Sequence, residues 1–123
     1  MGTFTHPITL ISLEGDRSET VEALVDSGST FTSVPAPLLE RLGVRPHRTV
    51  RLRLADGRVD ERQVGRVLAE LDGLQEQILC AFGAPGDLPA IGALTLETFL
   101  LAIDPVEKRL VPVEGLWAPR WLR

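Results

Sequence analysis

One run of side chains in this sequence could do chemistry as it stands, Asp26-Ser27-Gly28-Ser29. A carboxylate delivered to the start of a tight turn, beside two small hydroxyls, is held firmly while leaving room for a reactant. Gly28 permits a bend that a residue with a Cβ would resist. The same four residues are also ordinary turn chemistry, because Asp and Ser side chains bond their own backbone. The other candidates are weaker. Asp56-Gly57 and Asp72-Gly73 lack a hydroxyl between Asp and Gly and sit at plausible hairpin tips, and Asp104-Pro105 opens a turn. Cys80 is the sole cysteine, so no internal disulfide forms, and Ile78-Leu79-Cys80-Ala81-Phe82 reads as a buried strand in which a thiol is inert. His6 and His47 stand alone beside Pro7 and Pro46, and read as an exposed strand residue and a loop residue. No His, Cys or Asp cluster has ligand spacing, so a metal-dependent hydrolase has little support.

The elements that must position Asp26 follow from period and punctuation. Val21, Ala23 and Val25 alternate with Glu22 and Leu24, the period of a half-buried strand, and the spacing predicts a strand over 18–25 that ends at Asp26. A first strand within 3–13 precedes it across the turn Glu14-Gly15-Asp16-Arg17. After an extended 31–34, Pro35-Ala36-Pro37 leads into a short helix, Leu38 to Leu42, stopped by Gly43. Residues 49–54 and 59–71 form a predicted hairpin about Asp56-Gly57, with Gly65 marking a bulge. Asp72-Gly73 turns the chain into a strand over 74–82. A loop over 83–87, a short helix near 93–99 and strands over 100–104 and 109–113 complete a mainly β domain. No internal repeat or linker interrupts it.

In that setting, Val21 to Phe31 resembles the Asp-Ser/Thr-Gly signature of aspartic proteases with its apolar lead-in. About 65 residues downstream of Asp26, Leu88-Pro89-Ala90-Ile91-Gly92 and the residues to Phe99 are similar to a second element of the retroviral-type, or retropepsin-like, members. There an apolar-apolar-Gly segment and a short helix lie under the catalytic loop. Leu101 to Pro112 resembles the closing hairpin of bacterial single-domain relatives. The resemblance spans roughly residues 5 to 113. It implies an all-β fold with one or two short helices, a closed acid-protease barrel with one lobe per chain. It divides the sequence into a protease domain, 1–113, and a C-terminal tail, 114–123.

The chemistry implied by the resemblance needs two carboxylates that share a proton. Two like charges about 3 Å apart cannot both ionise, so identical residues serve as base and acid. The sequence holds one Asp-Ser-Gly, and a C2 homodimer would bring Asp26 of each chain to the axis. Position by position, Asp26 matches the catalytic carboxylate, and Ser27 the hydroxyl that braces the two loops across the axis. Gly28 matches the residue whose N–H bonds the inner carboxylate oxygen. Ser29 matches a position where a hydroxyl favours the ionised form and moves the working range toward acid. Ile91 and Gly92 match the structural segment below the site. Ala55-Asp56-Gly57-Arg58 stands where the family carries its substrate-binding flap, here with one glycine and two charges. No cofactor and no metal are implied, and the partners are a second copy and a polypeptide substrate.

Composition bounds the alternatives. A chain of 123 residues, 44% hydrophobic and 24% charged, forms one ordinary globular domain. The net charge of −4 does not suggest a nucleic-acid binder, although Arg41, Arg45, Arg48, Arg51, Arg53, Arg58, Arg62 and Arg66 fall close together. With acids interspersed, they read as a solvated strand face. No apolar run reaches membrane-spanning length and the start lacks a secretory pattern, so the expectation is cytoplasmic, with no membrane partner. Trp117 and Trp121 in the tail suggest docking on the domain itself or on a partner chain. Two functions remain at this point. One is a homodimeric aspartic endopeptidase; the other is the same fold used as a peptide-binding or scaffolding module with little hydrolysis.

Overall fold

A computed structural model describes residues 3–118. Nine strands and two short helices follow one another as β1 (Thr5–Ile11), β2 (Ser18–Val25), β3 (Thr32–Pro35), α1 (Ala36–Arg41), β4 (Pro46–Arg53), β5 (Val59–Leu71), β6 (Leu74–Gly83), β7 (Ala90–Ile91), α2 (Ala93–Thr98), β8 (Leu101–Asp104) and β9 (Arg109–Pro112). Seven strands form one sheet in the order β1-β2-β7-β3-β6-β5-β4, and a further β1–β5 pairing closes it into a ring. That closure is possible because β5 is 13 residues long. Its first half pairs with β4, and its second half with both β6 and β1. β8 and β9 form a separate hairpin.

The predicted periods translate into burial. Along β2 and β5 the inward positions Ala23, Val25, Val67, Ala69 and Leu71 are all nearly inaccessible. They meet Ile8 and Leu10 from β1, Leu39 from α1 and Ile91 from β7 in one core. Truncating a side chain there, such as Leu39→Ala, would cost about 2–5 kcal/mol through lost transfer energy and the cavity left behind. Asp72 and Gly73 take φ of 50° and 83°, positive at both central residues of a two-residue turn, which matches the twist of the flanking strands. α1 begins at Ala36, two residues earlier than predicted, because Pro37 fits the first turn, where no N–H is needed. Arg41 at its end grips Glu19 of β2 through two bonds of 2.8 Å. That contact holds the Glu19 carboxyl below its ordinary range.

Four expectations change, one being that His47, expected in a loop, lies within β4. Gly65 is not the bulged residue: β4 carries the extra residue, His47, between the pairs Pro46–Gly65 and Arg48–Val64. Gly65 is required instead by close approach, since a Cβ there would stand 2.6 Å from Val44 Cγ1 and 2.7 Å from the Arg45 carbonyl oxygen. His6 is not exposed. Its side chain is 17% accessible, with Nε2 3.0 Å from Asp72 Oδ1 and Nδ1 2.7 Å from the Pro7 carbonyl. It thereby ties β1 to the β5–β6 turn. Trp117 does not dock on its own domain, being 90% exposed; Trp121 lies outside the described residues. Among the described residues, no helix is long and apolar enough to cross a membrane.

Cys80 is fully enclosed in β6, and burial pushes its thiol up to about 12. Thiol reagents at neutral pH are therefore expected to label the protein only as fast as it unfolds. Stoichiometric labelling of the native protein within minutes would contradict this packing.

Candidate active site

β2 stops at Val25, and the next residue is pinned on every side. The Asp26 N–H donates to the Ile91 carbonyl at 3.0 Å, and the Val25 N–H to the Phe4 carbonyl at 2.9 Å. The Asp26 carbonyl accepts from the Ser29 N–H at 3.1 Å, closing the turn. Both carboxylate oxygens are held from within that turn. Oδ1 accepts from the Gly28 N–H at 3.0 Å, and Oδ2 from the Ser29 hydroxyl at 3.1 Å. Asp26 is half-buried, whereas Ser27 and Gly28 are exposed. Gly28 is needed for a reason the sequence does not show. Its φ is not positive; a Cβ there would sit 3.2 Å from Asp26 Oδ1 and crowd the carboxylate.

The loop rests on the segment that follows β7. Ala93 and Leu94, at the start of α2, donate their N–H groups to the carbonyls of Ser29 and Thr30 at 2.7 and 3.0 Å. The first N–H groups of a helix have no partner within it, and here they peg the Asp26 loop. Gly92 lies so close beneath that a Cβ would run into the Phe31 carbonyl and stand 2.8 Å from the Ser29 carbonyl oxygen. Its own N–H donates to Thr32 Oγ1 at 3.1 Å, and Thr32 Oγ1 is 2.6 Å from Thr95 Oγ1. Both threonines are buried. The sequence reading did not single out this hydroxyl pair. Its only signal is a Thr at an inward position of β3 and another within an apolar helix.

Beside the loop runs a cleft. One hollow of about 350 Å³ is lined by Gly28, Ser29, Ser33, Leu52, Leu54 and Ala81, among others. A second of about 230 Å³ shares Ser29, Ser33, Leu52, Leu54 and Ala81 and extends to Phe82 and Asp87. The β4–β5 hairpin forms its roof, with Leu52 and Leu54 half-buried and Arg51 and Arg53 exposed. The tip residues Ala55, Asp56, Gly57 and Arg58 stand beyond both hollows, so the lining on this side comes from Leu52 and Leu54, joined in the first hollow by Arg51 and Arg53. The alternation of residues 51–54 was the signal for them.

The tip is locked onto itself. Asp56 accepts from the Arg58 N–H at 3.0 Å and from Arg58 Nε at 2.6 Å, and Arg53 Nη1 donates to the Gly57 carbonyl at 2.9 Å. The Arg58 backbone bond, then its side chain, hold the Asp56 carboxyl below the ordinary range. The folded tip therefore favours the ionised form. Its bracing is present above the ordinary carboxylate value and is lost only as pH falls through the lowered one. Among the described residues, no three His, Cys, Asp or Glu side chains gather to share a metal ion.

Residues 11–88, more than half of the chain, match the aspartyl protease family. The chain belongs to that family. Among solved structures, this aspartyl protease chain is similar to the protease of Simian Foamy Virus (mac), a solution structure. The two share 20% identity and a TM-score of 0.53, over 75% of this chain and 90% of the viral one. The fold is thus retropepsin-like, as the Asp26 and Ile91-Gly92 motifs suggested. No curated protein matches the sequence.

Thr32→Val is expected to leave the buried Gly92 N–H without an acceptor and to lower unfolding free energy by about 1–3 kcal/mol. Denaturant titration checks this, and an unchanged midpoint would show that the hydroxyl pair carries no load.

Proposed function

We propose that the protein is a homodimeric aspartic endopeptidase, acting through a dyad of Asp26 from each of two chains. The observation that carries the reading is the holding of Asp26 itself. A half-buried carboxylate has both oxygens fixed by Gly28 and Ser29 at the mouth of a cleft. The sequence holds one Asp-Ser-Gly, so the second carboxylate has to come from a second copy.

In the dimer one Asp26 is ionised and its twin protonated, and the dyad titrates as a pair. The ionised carboxylate takes a proton from water as the oxygen attacks the scissile carbonyl carbon. The protonated one gives its proton to the carbonyl oxygen, yielding a neutral tetrahedral gem-diol. When the C–N bond breaks, a proton passes to the leaving amine and one hydroxyl proton returns to the dyad. Water, acid and amine balance without a cofactor. The exposed Ser27 hydroxyl would brace the two loops at the axis. Ala55, Asp56, Gly57 and Arg58 would form the flap tip, while Leu52 and Leu54 would cover the peptide.

Surface chemistry around Ser27 supports the dimer. An open hollow of about 260 Å³ beside it is lined by Ala93, Leu96, Leu101, Ala102 and Ile103, with Glu97 the one charged residue among them. Leu100, Val113, Leu116 and Trp117 are exposed on the adjoining hairpin and tail, an apolar stretch of the kind that marks interfaces. We assign residues 1–113 to the protease domain and 114–123 to a tail that packs at this interface. The single enclosed thiol suits a cytoplasmic setting. A second reading, a peptide-binding module with little turnover, draws on the flap tip, whose charges are tied to one another rather than free to close on a substrate.

Cleavage of an unstructured peptide library, read by mass spectrometry between about pH 4 and 7, is expected from the wild type and abolished in Asp26→Asn with the fold retained. No cleavage by a folded dimer would favour the binding module. Deletion of residues 114–123 is expected to weaken dimerisation in sedimentation experiments. An unchanged dissociation constant would contradict the interface role of the tail.

A further inference from the structure

We propose that the second hollow of the cleft selects a basic side chain of the substrate, arginine or lysine, read by Asp87 together with the Asp60–Arg62 pair. This rests on the peptidase reading and adds a substrate class to it. The β4–β5 register pairs Leu52 with Asp60 and Val50 with Arg62. Directly opposed residues share a face, so Asp60 and Arg62 lie on the same face as Leu52. The hollow is lined both by apolar residues, Leu52, Leu54 and Phe82, and by charged ones, Asp60, Arg62 and Asp87.

The charges do not cancel. Arg62 Nη1 stands 2.6 Å from Asp60 Oδ2 and also donates to the Glu61 carbonyl at 3.1 Å, while Asp60 Oδ1 accepts from the Glu61 N–H at 2.8 Å. Those groups are committed to each other. Among the described residues, Asp87 Oδ2 accepts from one group, the Ala84 N–H of its loop, at 2.9 Å. Among the described residues, no guanidinium or ammonium pairs with Asp87. In the lining of this hollow two carboxylates stand against one guanidinium, while Arg51 and Arg53 line the adjoining hollow instead.

A volume of about 230 Å³ holds one long side chain, short of the size of a whole small-molecule site. An arginine or lysine fits this chemistry along its whole length. The methylene stem would lie on Leu52, Leu54 and Phe82, and the cation would pair with the exposed Asp87. A purely apolar side chain would desolvate Asp87 without pairing it, and an acidic one would meet like charge.

The test uses the full chain and peptides that differ only at the position found to occupy this hollow, carrying Arg, norleucine or Glu. Cleavage by the wild type and binding by Asp26→Asn, which does not turn over, are measured in parallel. The Arg peptide is expected to lead norleucine by about tenfold, the scale of one charge-assisted hydrogen bond, with Glu lowest. In Asp87→Asn the Arg-to-norleucine ratio should fall toward one, since Asn keeps an oxygen for the Ala84 N–H and the loop is retained. Asp87→Glu should restore part of it.

Asp26-dependent cleavage with no position favouring a basic residue, or with a preference unmoved by Asp87→Asn, would overturn this inference and leave the peptidase reading standing. Absence of cleavage, with an Asp87-dependent binding preference for Arg, would remove the peptidase reading and keep the charge selection as that of a binding groove. Absence of both would overturn both.

Discussion

The Asp26 loop is held from below by backbone. Ile91 accepts from it, Ala93 and Leu94 donate to it, and Gly92 lets the two segments touch. Everything nearer the surface depends on that contact. A carboxylate at the end of a strand is otherwise free to rotate with its turn. Fixed at its N–H from one side and at both oxygens from the other, Asp26 presents one geometry. Chemistry that needs two carboxylates within hydrogen-bond distance tolerates little play, so a rigid support is what such a site requires. The buried Thr32–Thr95 pair extends the same support to β3 and α2.

The support is also incomplete in one direction. Beneath the loop backbone groups of residues 91–94 pair with it, and among the described residues no buried side-chain nitrogen or oxygen lacks a partner. Toward solvent, Ser27 and Gly28 lie open, and Ser27 borders a mainly apolar hollow. A fold that is finished below and unfinished above is the expected form of half a symmetric site. The ring-shaped sheet supplies rigidity, the separate β8–β9 hairpin supplies apolar surface, and a symmetry axis would supply the second carboxylate.

Much of this was legible in the residues. The limits of β2 and β5 follow from alternation, and the turns at Asp56-Gly57 and Asp72-Gly73 from their dipeptides. The site motif was legible because small hydroxyls and a glycine follow a strand-ending Asp. What stayed hidden lacks a period or depends on contacts distant in sequence. β7 has two residues, too few to show alternation, yet it sits between β2 and β3. Gly65 owes its identity to Val44 and the Arg45 backbone, which no local pattern announces, whereas Gly92 was legible through the family resemblance. The arginines of β4 and β5 read as one solvated face. Register separates them into exposed Arg51 and Arg53, and Arg62 on the same face as Leu52. Trp117 suggested a docked tail, and on the single chain it is bare.

The central claim is that one site takes one Asp26 from each of two chains. Mixing wild type with Asp26→Asn at constant total concentration, with subunits allowed to exchange, tests it directly. If both copies must be intact, activity follows the square of the wild-type fraction, and an equal mixture should keep about a quarter of the full rate. A linear dependence, with about half the rate retained in the equal mixture, would mean that a single chain suffices and would contradict the shared site.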